Sequence, residues 1–220
     1  MKIVVQTIEK GKLGTTNYQL RTKERVAFNI KKFYIYLIMN DKFENIRFVM
    51  CTNLSHECEE EMFNVLTYIR DKFGISVFNE LHAIKVQRIE LEEYPSGENY
   101  IADERTIVIN RDYFGLDAGK ETKNKVIIDN FRKIFICQIG HYLFYTKNLL
   151  GGMLKVYLDN KEYLDKNYSS NYIRTLSPED SLKEIFAQAF YDFCDGTLEN
   201  KVNNKKNSLF DFIQALEVKD

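Results

Sequence analysis

The sequence lacks the long apolar runs, the export signal and the basic blocks that mark several classes of protein. No window approaches the ~18 consecutive apolar residues of a membrane span, and the amino-terminal apolar run is too short and too interrupted for a secretory signal. The net charge is −1, from 31 basic and 32 acidic residues, with no strongly basic block. We therefore predict neither a nucleic-acid partner nor a membrane partner.

Cysteine and histidine are also scarce. The chain has four cysteines and three histidines, and no two histidines stand at the spacing that metal proteases use. Without an export signal, reduced thiols in a cytoplasmic protein are the expectation. If the chain is trimmed from a longer precursor, a secreted protein is expected instead.

The chain does have enough apolar residues to fold. Hydrophobic residues make up 45% and aromatic residues 14% of its 220 residues, which predicts one domain, with or without an appendage. Alternating apolar and polar residues predict a β-rich N-terminal extension over 1–44, with two or three strands. Further strands are predicted at 45–53, 83–94 and 105–110, with a turn at "PSGENY" (95–100).

Helical spacing of apolar residues accounts for most of the rest. It predicts a helix with an apolar stripe over 62–73, and a long buried helix over 123–150 that ends at Gly151-Gly152. Ser177-Pro178-Glu179 is typical of a helix start, and "SLFDFIQAL" (208–216) predicts a short closing helix. Residues 153–176 are predicted to be loop. The order of elements predicts an α+β fold with a small sheet, rather than alternating βαβ units.

The stretch "FRKIFICQIGHYLF" (131–144) differs at two positions from the His-Glu-x-x-His signature of zinc proteases. In that signature the spacing of four puts both imidazoles on one helix face, and the intervening Glu is the general base for the zinc-bound water. Cys137 and His141 keep the spacing, and a thiolate is a good zinc ligand. Gln138 has nearly the shape of Glu but no carboxylate, so it cannot be the base.

The residues alone leave three other interpretations of Cys137 and His141 open. Both are commonly packing residues of a buried helix, with the His hydrogen-bonded to a neighbour. They could also hold zinc structurally, with a fourth ligand that the sequence does not name. A nucleophilic Cys137 with His141 as its base is disfavoured, because burial limits substrate access and raises the pKa of a thiol.

A second stretch, "KEIFAQAFYDF" (183–193), resembles the Glu-Phe-Phe-Ala-Glu-Ala-Phe segment of the anthrax lethal factor family of zincin metalloproteases and their small secreted Pro-Pro endopeptidase relatives. The resemblance matches Glu184 to the family's third zinc ligand, and so implies a metal site of Cys137, His141 and Glu184. "NIRFVMCTN", the helical region 55–81 and "AIKVQRIEL" are similar to the strand–helix–strand that opens the family's protease domain. "NSLFDFIQAL" is similar to its closing segment.

The resemblance covers about residues 45–220 and implies a zincin-like metalloprotease fold for them, with a small mixed sheet and a long buried active-site helix. "RTIVIN" (105–110) stands where the family has its edge strand, which pairs with an extended substrate. This implies a peptide-binding strand formed by Thr106, Ile107, Val108 and Ile109. Residues 1–44 match no segment of the family, and either bind a partner or only cover the sheet edge.

The chain departs from the family at the positions that carry chemistry. Cys137 replaces the first zinc His, and Gln138 replaces the general base. Ser177, seven residues before Glu184, replaces the Tyr that helps to stabilise the tetrahedral intermediate, and Tyr172 is the nearest Tyr upstream. Gln188 replaces the second Glu of the 183–193 segment.

These departures predict a catalytically inactive pseudo-protease that acts by binding a protein or peptide, with no catalytic residue and no cofactor. The alternative is a zinc-dependent endopeptidase with a non-standard Cys/His/Glu site, in which Glu179 or Asp180 supplies the base and zinc is the cofactor. Fold alone does not decide between them.

Overall fold

The computed structural model describes residues 2–9, 12–19, 26–30, 33–38, 43, 45–51, 56–87, 98–101, 105–110, 125–168, 170–198 and 208–216. The architecture is α+β, as predicted: most described residues are helical, and three parallel strands form the middle of a mixed sheet. No helix in the described ranges is long and apolar enough to cross a membrane.

The amino-terminal region forms two hairpins. Strands β1 (Lys2–Glu9) and β2 (Lys12–Gln19) pair antiparallel with each other in a sheet of their own. Strands β3 (Val26–Ile30) and β4 (Phe33–Ile38) form the second hairpin, and β4 also pairs antiparallel with β5 (Arg47–Cys51). The extension thus has four strands, more than predicted, and its second hairpin continues the sheet that contains β5.

The larger sheet has the order β3-β4-β5-β6-β8-β7, where β6 is Ala83–Gln87, β7 is Glu98–Ile101 and β8 is Thr106–Asn110. Strands β5, β6 and β8 are parallel, and β7 runs antiparallel to β8 at the end of the order. Of the predicted strand 83–94, residues 88–94 lie outside the described residues.

Strand β8 is not the edge strand that the resemblance implied. It pairs with β6 on one side and with β7 on the other. Its residues Thr106, Ile107, Val108 and Ile109 are all buried, with at most 2% of each exposed. The prediction is wrong because residues 98–101, assigned to a turn and its flank, form an additional strand outside β8.

Helix α1 (His56–Phe73) confirms the predicted stripe, since Met62, Val65, Leu66, Ile69 and Phe73 are buried. These side chains belong to the same buried cluster as residues of the sheet, and Phe63 of α1 packs against Phe48 of β5 with ring centroids 5.1 Å apart. Gly74 follows the helix at φ 88, a conformation that favours glycine, and a 3₁₀ turn (Ile75–Phe78) leads to β6.

Helix α2 (Lys125–Thr146) is the buried centre of the fold, as predicted, but it is shorter at its carboxyl end. It ends at Thr146 rather than at the glycine pair. Asn148 adopts φ 50, and the Leu149 N–H donates to the Phe144 carbonyl at 3.0 Å. Asparagine tolerates this left-handed conformation better than most residues, so it turns the chain without glycine.

The predicted loop over 153–176 is largely helical, and that prediction was wrong. Helices α3 (Leu150–Asp159) and α4 (Lys161–Asn167) are followed by a 3₁₀ turn (Ile173–Thr175). Apolar side chains at helical spacing hold these pieces to the core: Met153, Val156, Leu164 and Ile173 are buried. Apart from the buried Tyr168, the many Tyr, Asn and Lys residues between them are more exposed and obscure the pattern in the sequence.

Helices α5 (Pro178–Cys194) and α6 (Ser208–Gln214) confirm the last two predicted helices. Ser177 caps α5, because its Oγ accepts the Asp180 N–H at 3.1 Å. A buried polar contact joins α5 to the end of α4: the Tyr168 hydroxyl donates to Asp192 Oδ2 at 2.8 Å, and the Thr197 hydroxyl lies 3.2 Å from Asp192 Oδ1.

Candidate functional site on the α2–α5 helix pair

Helices α2 and α5 pack antiparallel, and a glycine sets their separation. Residue numbers rise along α2 as they fall along α5: the contacts are Lys133 with Tyr191, Gly140 with Ala187, and His141 with Glu184. A Cβ atom added to Gly140 would lie 2.9 Å from the Cα of Ala187. Only glycine at position 140 permits this approach, which brings the next residue, His141, against α5.

His141 and Glu184 are the two predicted ligands that the fold brings together. His141 Nε2 lies 3.4 Å from Glu184 Oε1, and His141 is only 7% exposed. Burial, with a smaller contribution from the charge of Lys183, lowers the pKa of His141 from 6.5 to about 3. The imidazole is therefore neutral near pH 7, and its contact with Glu184 is not an ion pair between two charged groups.

The neighbourhood of this contact contains two buried polar atoms without partners. Gln138 Oε1 and His141 Nδ1 are both inaccessible to solvent and have no hydrogen-bond partner among the described residues. Burial also raises the pKa of Glu184, although the charge of Lys183 lowers it in part. Unpaired buried polar atoms are costly and often mark places where a fold serves something other than stability.

Cys137 does not join His141 and Glu184 in a metal site. Cys137 is half-buried, one helical turn before His141. It lies near Tyr191 and Cys194, further along α5 than Glu184, and a charge on its thiol would raise the pKa values of both. Within the described ranges, no three His, Cys, Asp or Glu side chains are grouped so as to hold a metal ion. The side chains as arranged do not fit the three-ligand zinc centre of a zincin.

Ser177 stands where the family has its oxyanion-stabilising Tyr. Its side chain forms the cap at the start of α5. Its hydroxyl donates to Asp180 Oδ2 at 2.7 Å while accepting the Asp180 N–H. Tyr172, directly before the 3₁₀ turn Ile173–Thr175, is 62% exposed. The Ser177 hydroxyl, engaged in these two hydrogen bonds, is therefore not free to stabilise an oxyanion.

Asp180 and Glu179, the carboxylates predicted as alternative bases, both lie in the first turn of α5. Asp180 accepts from Lys183 Nζ at 3.0 Å, and its hydrogen bonds from Ser177 and Lys183 lower its pKa. A depressed pKa makes a carboxylate a weaker proton acceptor. Glu179 lies beside it in the first turn of α5, where acidic residues stabilise the helix dipole.

Sequence reasoning missed two features that shape the site. The first is Lys183, whose charge acts on His141, Glu184 and Asp180. Burial lowers the pKa of Lys183, but the hydrogen bond to Asp180 and the nearby Tyr145 raise it by more, so its pKa is raised overall. The Gly140–Ala187 contact was also missed. A glycine inside a strongly apolar helix was the available signal, since it often marks a close approach of another backbone.

Comparison with known proteins gives no assignment. No protein-family model, no curated protein and no solved structure matches this chain.

Proposed function

We propose that this chain is a catalytically inactive, lethal-factor-like zincin domain that binds an extended peptide along strand β7. The observation that carries the proposal is the place of β7. It is the last strand in the order of the six-stranded sheet, runs antiparallel to β8, and lies against α2, the helix that bears Gln138 and His141. The outer side of a terminal strand offers backbone N–H and C=O groups to an added strand.

The order of the elements is in keeping with the family resemblance. Strand β5, helix α1, strand β6, the antiparallel β7, strand β8 and the buried helix α2 follow one another, and α5 then packs on α2. The resemblance implied an opening strand–helix–strand, an edge strand and a long active-site helix. A peptide-binding strand at 98–101 replaces the assignment to 105–110.

The helix pair supports binding without hydrolysis. The residue at the base position is an amide, which accepts no proton near neutral pH. The hydroxyl of Ser177 is engaged in the helix cap, and Cys137 is not grouped with His141 and Glu184. Such a site lacks the general base, one zinc ligand and the oxyanion-stabilising hydroxyl of a zinc protease. It can therefore bind a peptide without hydrolysing it.

Peptide binding is tested with a display library of random linear peptides and two proline variants, Asn99→Pro and Tyr100→Pro. In an antiparallel strand, successive N–H groups point alternately toward the neighbouring strand and away from it. One of the two variants therefore loses a bond to β8, and the other loses an outward N–H. Circular dichroism on heating identifies the variant that keeps the wild-type unfolding midpoint.

We expect that variant to lose at least about tenfold in affinity for the selected peptides. If a variant with a wild-type midpoint binds them as the wild type does, β7 is not the binding strand. Mass spectrometry of the selected peptides after incubation with protein and Zn²⁺ tests the second half of the proposal. We expect intact peptides, and cleavage that is lost in Glu184→Gln would favour the endopeptidase instead.

A further inference from the structure

A cleft of about 450 Å³ lies on the side of α5 away from α2. Its walls come from α3, α4, the 3₁₀ turn Ile173–Thr175 and the first two turns of α5. On α5 the cleft is lined by Ser181, Leu182 and Ile185, whereas Glu184 and Ala187 face α2. The cleft is thus separate from the His141–Glu184 contact, and its volume is within the range of about 300–1,000 Å³ typical of small-molecule sites.

The floor of the cleft is apolar and built from core residues. Ile173, Leu182 and Ile185 line it and are buried, so their positions are fixed by the packing around them. Leu154, also in the lining, is 46% exposed, and Leu158 one turn further along α3 is 67% exposed. Apolar surface therefore continues from the floor to the outside of the cleft, where it costs free energy unless something covers it.

The rim of the cleft carries more positive than negative charge. Lys161 and Arg174 line it, and neither takes part in an ion pair among the described residues. The described lining includes one carboxylate, that of Asp165, and it accepts a hydrogen bond from the Tyr157 hydroxyl at 2.8 Å. Two cations above an apolar floor suit an anion with an apolar body.

We propose that this cleft binds a small organic carboxylate with an aliphatic body, of the size of a medium-chain fatty acid. The aliphatic part lies against Ile173, Leu182 and Ile185, and the carboxylate is held by Arg174 and Lys161. Arginine offers a carboxylate two parallel N–H donors, which makes Arg174 the main determinant of the charged end. This site does not depend on peptide binding at β7.

The test uses decanoate, with decanol as its neutral counterpart, and isothermal titration calorimetry on the full chain at a concentration where decanoate is monomeric. We expect decanoate to bind at least about tenfold more tightly than decanol, and Arg174→Gln to remove about tenfold of that affinity. Leu154→Trp adds bulk at the partly exposed mouth and should abolish binding. Lys147→Gln removes a positive charge outside the cleft and should bind decanoate as the wild type does.

Circular dichroism establishes that each variant is folded before it is titrated, and Lys161→Gln provides a second charge variant if Arg174→Gln unfolds. The proposal is overturned if decanoate does not bind, if decanol binds as tightly, or if the folded charge variants and Leu154→Trp keep wild-type affinity. Loss of affinity in Lys147→Gln equal to that in Arg174→Gln would also overturn it, because the attraction would then be general.

Discussion

Replacing Gly140 by alanine tests whether the α2–α5 spacing depends on the absence of one side chain. Two effects oppose each other. Alanine is favoured over glycine inside a helix by about 1 kcal/mol. The added Cβ, however, would lie 2.9 Å from the Cα of Ala187, a backbone atom that can move only if the helix moves. Overpacking of this kind costs about 1–3 kcal/mol.

We therefore expect Gly140→Ala to lower the free energy of unfolding by roughly 0–2 kcal/mol. The matched control is Gly151→Ala in α3, where an added Cβ meets nothing within 4 Å. That variant should be about 1 kcal/mol more stable than the wild type, because it gains the same helix preference without the close contact. Gly152→Ala is intermediate, because its Cβ would meet the Phe212 ring, a side chain that can rotate, at 2.6 Å.

Urea unfolding followed by circular dichroism gives the three values on one scale. The difference between Gly140→Ala and Gly151→Ala should be about 1–3 kcal/mol, with Gly140→Ala the less stable. If Gly140→Ala equals or exceeds Gly151→Ala in stability, the close packing of the two helices is refuted. In the folded Gly140→Ala protein the two helices should also lie farther apart and leave His141 less buried, so the pKa of His141, followed by NMR, should rise toward its ordinary value.

Three further predictions concern single groups. Tyr168→Phe removes the hydroxyl that donates to Oδ2 of the buried Asp192 carboxylate, while the Thr197 hydroxyl at Oδ1 stays, and should cost about 1–3 kcal/mol in urea unfolding. Tyr157→Phe, which removes a less buried hydroxyl, should cost less than about 1.5 kcal/mol, and equal costs would contradict the burial argument. Folding lowers the pKa of His141 from 6.5 to about 3, so between these pH values only the unfolded chain binds a proton at this residue. The free energy of unfolding should therefore fall as the pH falls, by about 1.4 kcal/mol per pH unit more in the wild type than in His141→Gln. Parallel curves for the two proteins would mean that the imidazole is not buried as a neutral group. Protein purified without a polyhistidine tag should contain well under one equivalent of zinc, unchanged in Cys137→Ala, and near-stoichiometric zinc lost in that variant would contradict the arrangement described for the helix pair.

Elements whose pattern is local could be predicted from the sequence. The apolar stripe of α1 needs only its own spacing of three and four, and the Ser177-Pro178 start of α5 needs only its own cap. The buried course of α2 was likewise visible in residues that are apolar on several faces. The chemistry of position 138 was also fixed by the sequence, since an amide has no proton-accepting carboxylate in any fold.

Tertiary structure decided what depends on residues far apart in the chain. Whether β8 is an edge strand depends on residues 98–101, which pair with it across the sheet, and α3 and α4 exist because a few apolar side chains meet the core. The same holds for the ionisation of His141, which follows from burial against α5, and for the cleft, which needs four separate elements to close around it. A sequence specifies residue types and their local periodicity, whereas strand neighbours, burial and cavities arise only when distant segments pack and exclude water.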